Sequence, residues 1–127
     1  MAWLPTPSEK PLHWVGSSKK DLLAFPDEVV DYFGYTLSVV QYGGRPPSAK
    51  AWKGEGPGVF ELVEEHRGDA FRAVYTVRFE KAVYVLHCFQ KKSPSGVRTA
   101  KQDIDLIHER LRTAQEDYEV RYEEEED

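Results

Sequence analysis

The sequence predicts an α+β fold of order β-α-α-β-β-β-α, an antiparallel meander sheet packed by helices. Three patterns carry that prediction. Along 71–79, Phe71, Ala73, Tyr75, Val77 and Phe79 alternate with Arg72, Val74, Thr76 and Arg78, the two-residue period of a strand. Val30, Phe33, Leu37 and Val40 recur at three- and four-residue spacing, as do Ile104, Ile107, Leu111 and Ala114. Each set forms the apolar stripe of an amphipathic helix. The 127 residues suit one domain, long enough to bury a core without disulfides or metal.

The elements follow in order. Residues 1–10 read as a loose N-terminal arm, 11–118 as the folded domain and 119–127 as an acidic tail. A short strand at 12–15 is broken by Gly16-Ser17-Ser18, where a serine can cap the helix predicted over 19–25. Pro26 suits the first turn of the next helix, and its dipole favours Asp27 and Glu28 there. Gly34 weakens that helix by about 1 kcal/mol relative to alanine. Gly43-Gly44 ends it. The stretch 44–58 is rich in glycine and proline and carries Arg45, Lys50 and Lys53. It is too long for a plain connector and reads as a binding loop. Strands are predicted over 59–65, 71–79 and 82–91, with turns at Arg67-Gly68 and Glu80-Lys81. A Ser/Pro/Gly loop over 92–98 leads to Thr99, a candidate cap for the last helix.

Charge is unevenly spread. The chain carries −5 overall, but residues 116–127 hold eight acids against Arg121 alone. Residues 1–115 therefore carry +2, with 16 basic and 14 acidic side chains, and 45–101 carry +5, with 11 and 6. A mildly cationic surface of this kind attracts phosphate backbones. The tail reads as a solvated run that aids solubility, or as a tethered competitor for the basic face. Cys88 is the only cysteine, which fits a reducing compartment. No secretory signal or membrane span is evident, so the expected location is cytoplasmic and no membrane partner is expected.

Several motifs carry two readings. Arg67-Gly68-Asp69 spells an adhesion tripeptide, but a glycine at a hairpin turn explains it. His66, His87, Cys88 and His108 lack the short ligand spacing of a metal signature, so no metal is expected, and no cofactor is expected either. Glu61 and Arg72 fall nearly opposite each other across a hairpin. They form either a structural ion pair, which the pattern favours, or an arginine aimed at phosphate and held by a glutamate. Lys91-Lys92 closes an apolar strand beside His87 and Phe89. These lysines either discourage edge pairing or belong to a cation cluster that holds phosphate.

With Leu12-His13-Trp14-Val15-Gly16-Ser17-Ser18, Phe25-Pro26, Gly34-Tyr35-Thr36-Leu37, Gly58-Val59-Phe60-Glu61-Leu62, Phe71-Arg72-Ala73-Val74-Tyr75 and, above all, the run from Val83 through His87-Cys88-Phe89-Gln90 to Lys91-Lys92, the sequence over about 11–115 resembles the phage-derived HigB-like branch of the RelE/ParE toxin superfamily. The resemblance implies a RelE-like fold and a type II toxin that cleaves mRNA, usually on the translating ribosome, without metal. It implies a helix-turn-helix antitoxin of the Xre/Cro type as partner. By position it implies Arg72, Lys91 and Lys92 as catalytic cations, with His87 either a catalytic acid or a satisfied core histidine. Lys50, Lys53, Arg45 and Arg78 become candidate RNA contacts, and Glu61 a supporting residue. Two positions depart from the family pattern. Val63 stands where an arginine is common, and Thr99-Ala100 where Thr-Pro is common. Within the same resemblance, a ParE-like poison of DNA gyrase and an inactive binding relative are the alternatives.

Overall fold

A computed structural model describes residues 9–91 and 99–123. Among these, five strands form one mixed sheet of order β1-β5-β4-β3-β2. β1 (Leu12–Trp14) runs parallel to β5 (Val83–Lys91), while β5, β4 (Asp69–Thr76), β3 (Val59–His66) and β2 (Lys50–Ala51) pair antiparallel. Helices α1 (Ser18–Leu23) and α2 (Asp27–Gln41) cover one face, and α3 (Lys101–Tyr118) covers the other. The order is β-α-α-β-β-β-β-α, an α+β architecture.

The added strand is β2. Two residues between Pro46-Pro47 and Gly54 show no alternation, so periodicity misses them. They become a strand because β3 offers a free edge, where Lys50 aligns with Glu61 and Ala51 with Phe60. At the other end of β3, Arg67 (φ 51°) and Gly68 (φ 87°) form the two-residue turn into β4. Positive φ at both central positions matches the right-handed strand twist, which accounts for the Arg-Gly-Asp run as a hairpin.

Two cores result. Leu22, Val29, Phe33, Leu37 and Val40 of the helix pair bury against Leu62, Phe71, Ala73, Tyr75 and Val85. Ile107, Leu111, Ala114 and Tyr118 of α3 bury against Val59, Val74, Tyr84 and Leu86. Val29 replaces the expected Val30 as the first fully buried residue of the α2 stripe. Phe79 was expected beside Phe71, yet it packs under α3. β4 ends at Thr76, so the strand period no longer governs the chain beyond it. The helix starts also differ from expectation. Ser17 donates to Asp21 Oδ2 at 2.8 Å and does not cap α1 with its side chain, and the N-cap of α3 is Ala100, not Thr99.

Beyond Tyr118 the chain does not leave the core at 119. It continues as a π-helical segment, Glu119–Glu123, and Tyr122 rests on the α3-side core. The Tyr122 phenol lies 2.6 Å from His13 Nε2. Tyr84 donates to Asp117 Oδ2 at 2.6 Å, and Arg121 Nε donates to the same oxygen at 2.7 Å. Burial lowers the His13 pKa, and Arg121 lowers it further against the opposing pull of Asp117. A histidine depressed below its unfolded value of 6.5 contributes stability at higher pH and loses it as pH falls through the folded pKa. Denaturant unfolding between pH 8 and pH 5 should therefore show stability declining below about 6.5. That decline should be shallower in a His13→Gln chain. Parallel profiles for the two chains would show that His13 does not carry it.

Candidate active site

Which side of the sheet β5 presents is set by a bulge. Tyr75 pairs with Val85 and Val74 with His87, so Leu86 is left without a partner in the β4 register. Up to that point Tyr84 and Leu86 face α3. Past it the parity is inverted, and His87 and Phe89 face α3 as well. The Leu86 carbonyl accepts from Arg110 Nη1 of α3 at 2.9 Å, and Nη2 of the same guanidinium donates to Ser17 Oγ at 3.1 Å. Gly16 (φ 57°) leaves room for that guanidinium, since a Cβ there would lie 3.0 Å from it.

The bulge brings His87 beside Arg72. In the β4–β5 register Arg72 is opposite Phe89 and Val74 opposite His87, so Arg72 and His87 are diagonal neighbours on one face. The His87 ring stacks on Phe89, with centroids 4.7 Å apart and planes at 14°. Its Nε2 lies 2.8 Å from Asp103 Oδ1 in the first turn of α3. Sequence reasoning missed Asp103. The only local signal was an acid where the helix dipole favours one.

On the other flank, Arg72 Nη1 donates to Glu61 Oε2 at 2.8 Å, with side chains 15% and 14% exposed. The pairing is diagonal. Val63 is directly opposite Arg72, and Glu61 is opposite Val74. An arginine at position 63, which the resemblance leads one to expect, would abut Arg72 across the ladder; with Val63 there, Arg72 faces the Glu61 carboxylate and, among the described residues, no second guanidinium pairs with it. Two buried polar atoms have no hydrogen-bond partner among the described residues, Arg72 Nε and His87 Nδ1. Both belong to this face, and buried polar groups are normally paired.

Beside them lies a cleft of about 440 Å³ lined by Ala51, Trp52, Lys53, Glu61, Arg72, Thr99 and Ile104. Lys50, paired with Glu61, and Lys91, paired with Ala70, share this face of the sheet. Lys92 lies outside the described residues. The two remaining candidates are elsewhere. Arg45 sits on the α2 side, its guanidinium 4.7 Å from the centroid of Phe60. Arg78 is bound to the loop, with Nη2 donating to Pro57 O at 3.0 Å and also to Glu55 O. Glu55 in turn meets His108 of α3 at 2.9 Å, so the loop ahead of β3 is tied to the helix. Among the described residues no group of three metal-ligating side chains converges.

α3 starts beside the cleft, and at 1.5 Å per residue it carries the chain about 27 Å from Lys101 to Tyr118.

Comparison with known proteins places this geometry. Residues 20–112 match the family of phage-derived Gp49-like proteins (DUF891). A structure of a double mutant of the E. coli toxin RelE in the free state matches with a TM-score of 0.59 at 19% identity, covering 82% of this chain and 99% of that one. A crystal structure of the isolated E. coli RelE toxin matches with a TM-score of 0.53 at 18% identity, covering 79% and 97%. At such identities the likeness is one of fold. No curated protein matches the chain by sequence.

Proposed function

From the premise that the chain belongs to the phage-derived Gp49-like family and has a RelE-like fold, we propose that it is the toxin of a type II toxin–antitoxin pair and an endoribonuclease acting on mRNA at the translating ribosome. The observation that supports this most is the pair of unpartnered buried atoms, Arg72 Nε and His87 Nδ1, on the face that borders a cleft with Lys53.

RNA supplies its own nucleophile. The 2′-hydroxyl attacks the adjacent phosphorus, the bond to the 5′-oxygen breaks, and the products are a 2′,3′-cyclic phosphate and a 5′-hydroxyl. The enzyme must align the attack, stabilise the added phosphate charge and move two protons. Arg72 stabilises the phosphate oxygens, held in place by Glu61. Asp103 holds Nε2 of His87 and orients the ring on the face of Arg72, where His87 is the proposed donor of a proton to the departing 5′-oxygen. Lys91 at the end of β5, with Lys92 next to it in sequence, adds positive charge or takes the proton from the 2′-hydroxyl. Lys50 and Lys53 guide the backbone toward the cleft, while Arg45 and Arg78 would contact RNA only outside it. The proposed partner is a helix-turn-helix antitoxin, and the proposed location is the cytoplasm.

Expression of the chain without an antitoxin should arrest growth with loss of intact mRNA. Mapping 5′ ends on ribosome-bound message should show new cuts within translated codons. Intact message together with inhibited DNA supercoiling would reject the nuclease and favour a gyrase poison.

A further inference from the structure

We propose that Trp52 is the platform on which a base of single-stranded RNA stacks. The proposal rests on the reading of Arg72 as the phosphate-binding residue and adds the group that recognises the nucleotide beside that phosphate. Lys50 and Ala51 of β2 alternate between the two sheet faces, Lys50 on the α3 side with Glu61. Trp52 follows in the same period and returns to the α3 side, where its indole rests on the core that includes Val59 and Ile107. Its amide donates to Val59 O at 2.8 Å, which continues the β2–β3 pairing by one residue and holds the backbone beneath the ring. The indole is half-buried and forms a wall of the cleft that also contains Arg72, Lys53 and Ile104.

The lining matches one ligand chemistry. Ile104 is 40% exposed although it belongs to the apolar stripe of α3, so the cleft joins uncovered apolar surface to the cations Arg72 and Lys53. An inorganic anion would use the cations and leave Trp52 and Ile104 bare. An acidic peptide would do the same unless it also carried an aromatic group. A nucleotide uses both parts, because a planar base stacks on an aromatic ring while its phosphate meets the guanidinium. The cleft volume of about 440 Å³ falls within the roughly 300–1,000 Å³ of small-ligand sites, enough for one nucleotide and not for a duplex. The loop carrying Trp52 is also fixed, by Arg78 on the carbonyls of residues 55 and 57 and by Glu55 on His108. A platform held at both ends need not be ordered when the base arrives.

The test uses the full chain with Trp3→Phe and Trp14→Phe, so that Trp52 is the sole indole. The probe is a short single-stranded oligoribonucleotide of mixed sequence carrying 2′-O-methyl groups, which cannot be cleaved. Binding should quench Trp52 fluorescence, and an abasic oligonucleotide of equal length should bind without quenching. Trp52→Leu should weaken binding about tenfold, with Trp52→Phe close to native. Binding without quenching, or equal quenching by the abasic probe, overturns the platform and leaves the reading of Arg72 standing. If the native chain shows no salt-dependent binding, or if Arg72→Ala leaves binding unchanged, the reading of the cleft falls and the platform with it.

Discussion

Replacing Arg72 by alanine should slow RNA cleavage on the order of a hundredfold or more and allow cells to survive expression of the chain. A positioned cation that meets charge developing on phosphate stabilises the transition state by a few kcal/mol, and its loss is felt in the rate. The substitution also strands Glu61, whose side chain is only 14% exposed and loses the guanidinium at 2.8 Å. That leaves a mostly buried carboxylate short of a partner, at a cost of about 1–3 kcal/mol. The two effects separate in a second variant. Arg72→Ala combined with Glu61→Gln should recover most of the lost stability, measured by thermal or denaturant unfolding, and none of the lost cleavage. Cleavage at the native rate in Arg72→Ala would remove Arg72 from the chemistry. Cleavage that returns with Glu61→Gln would show that the ion pair serves the fold alone.

Arg110→Met should give the next largest effect, although Arg110 lies outside the cleft lining. Its guanidinium satisfies the carbonyl of Leu86, the residue that β4 cannot pair, and reaches Ser17. Methionine keeps much of the bulk and removes both bonds. A hydrogen bond from a charged group contributes about 1.5–3 kcal/mol, so the melting temperature should fall by several degrees. The consequence for His87 is distinct. If the bulge relaxes, the parity of β5 past Leu86 is no longer enforced, and His87 loses its stack on Phe89 and its bond to Asp103. Cleavage should drop on the order of tenfold or more, since a positioned acid contributes about a hundredfold or above. The His87 ring signals in the NMR spectrum should broaden or shift. Arg110→Lys, which can still reach one carbonyl, should restore part of both. A destabilised variant with unchanged His87 signals and native cleavage would confine Arg110 to stability.

Much of the architecture was legible because burial on one face imprints a period on the sequence. The α3 stripe at Ile107, Leu111 and Ala114 and the alternation of Phe71, Ala73 and Tyr75 are direct records of which surfaces leave water. The Glu61–Arg72 pair was legible for the same reason, as opposite charges at inward-compatible positions of adjacent strands. Legibility failed where pairing with a distant segment decides the outcome. β2 exists because β3 has a free edge. Tyr122 is held by His13, more than a hundred residues away in sequence.

His87 marks the division most clearly. From the sequence alone it shares a parity with Val83 and Val85, which bury against the helix pair, and with Phe89 and Lys91, and no local rule chooses between a core histidine and a reactive one. By itself the sequence determined the order of the elements apart from β2, the two apolar faces and the candidate residues for phosphate binding. Tertiary structure decided which of those residues share a face. One unpaired residue, Leu86, inverts every side chain after it, and its carbonyl is satisfied by an arginine from a helix that packs later in the chain. That choice places His87 with Asp103 and Arg72. It cannot be read from spacing, because a strand with a bulge and a strand without one have the same sequence period up to the residue where they part.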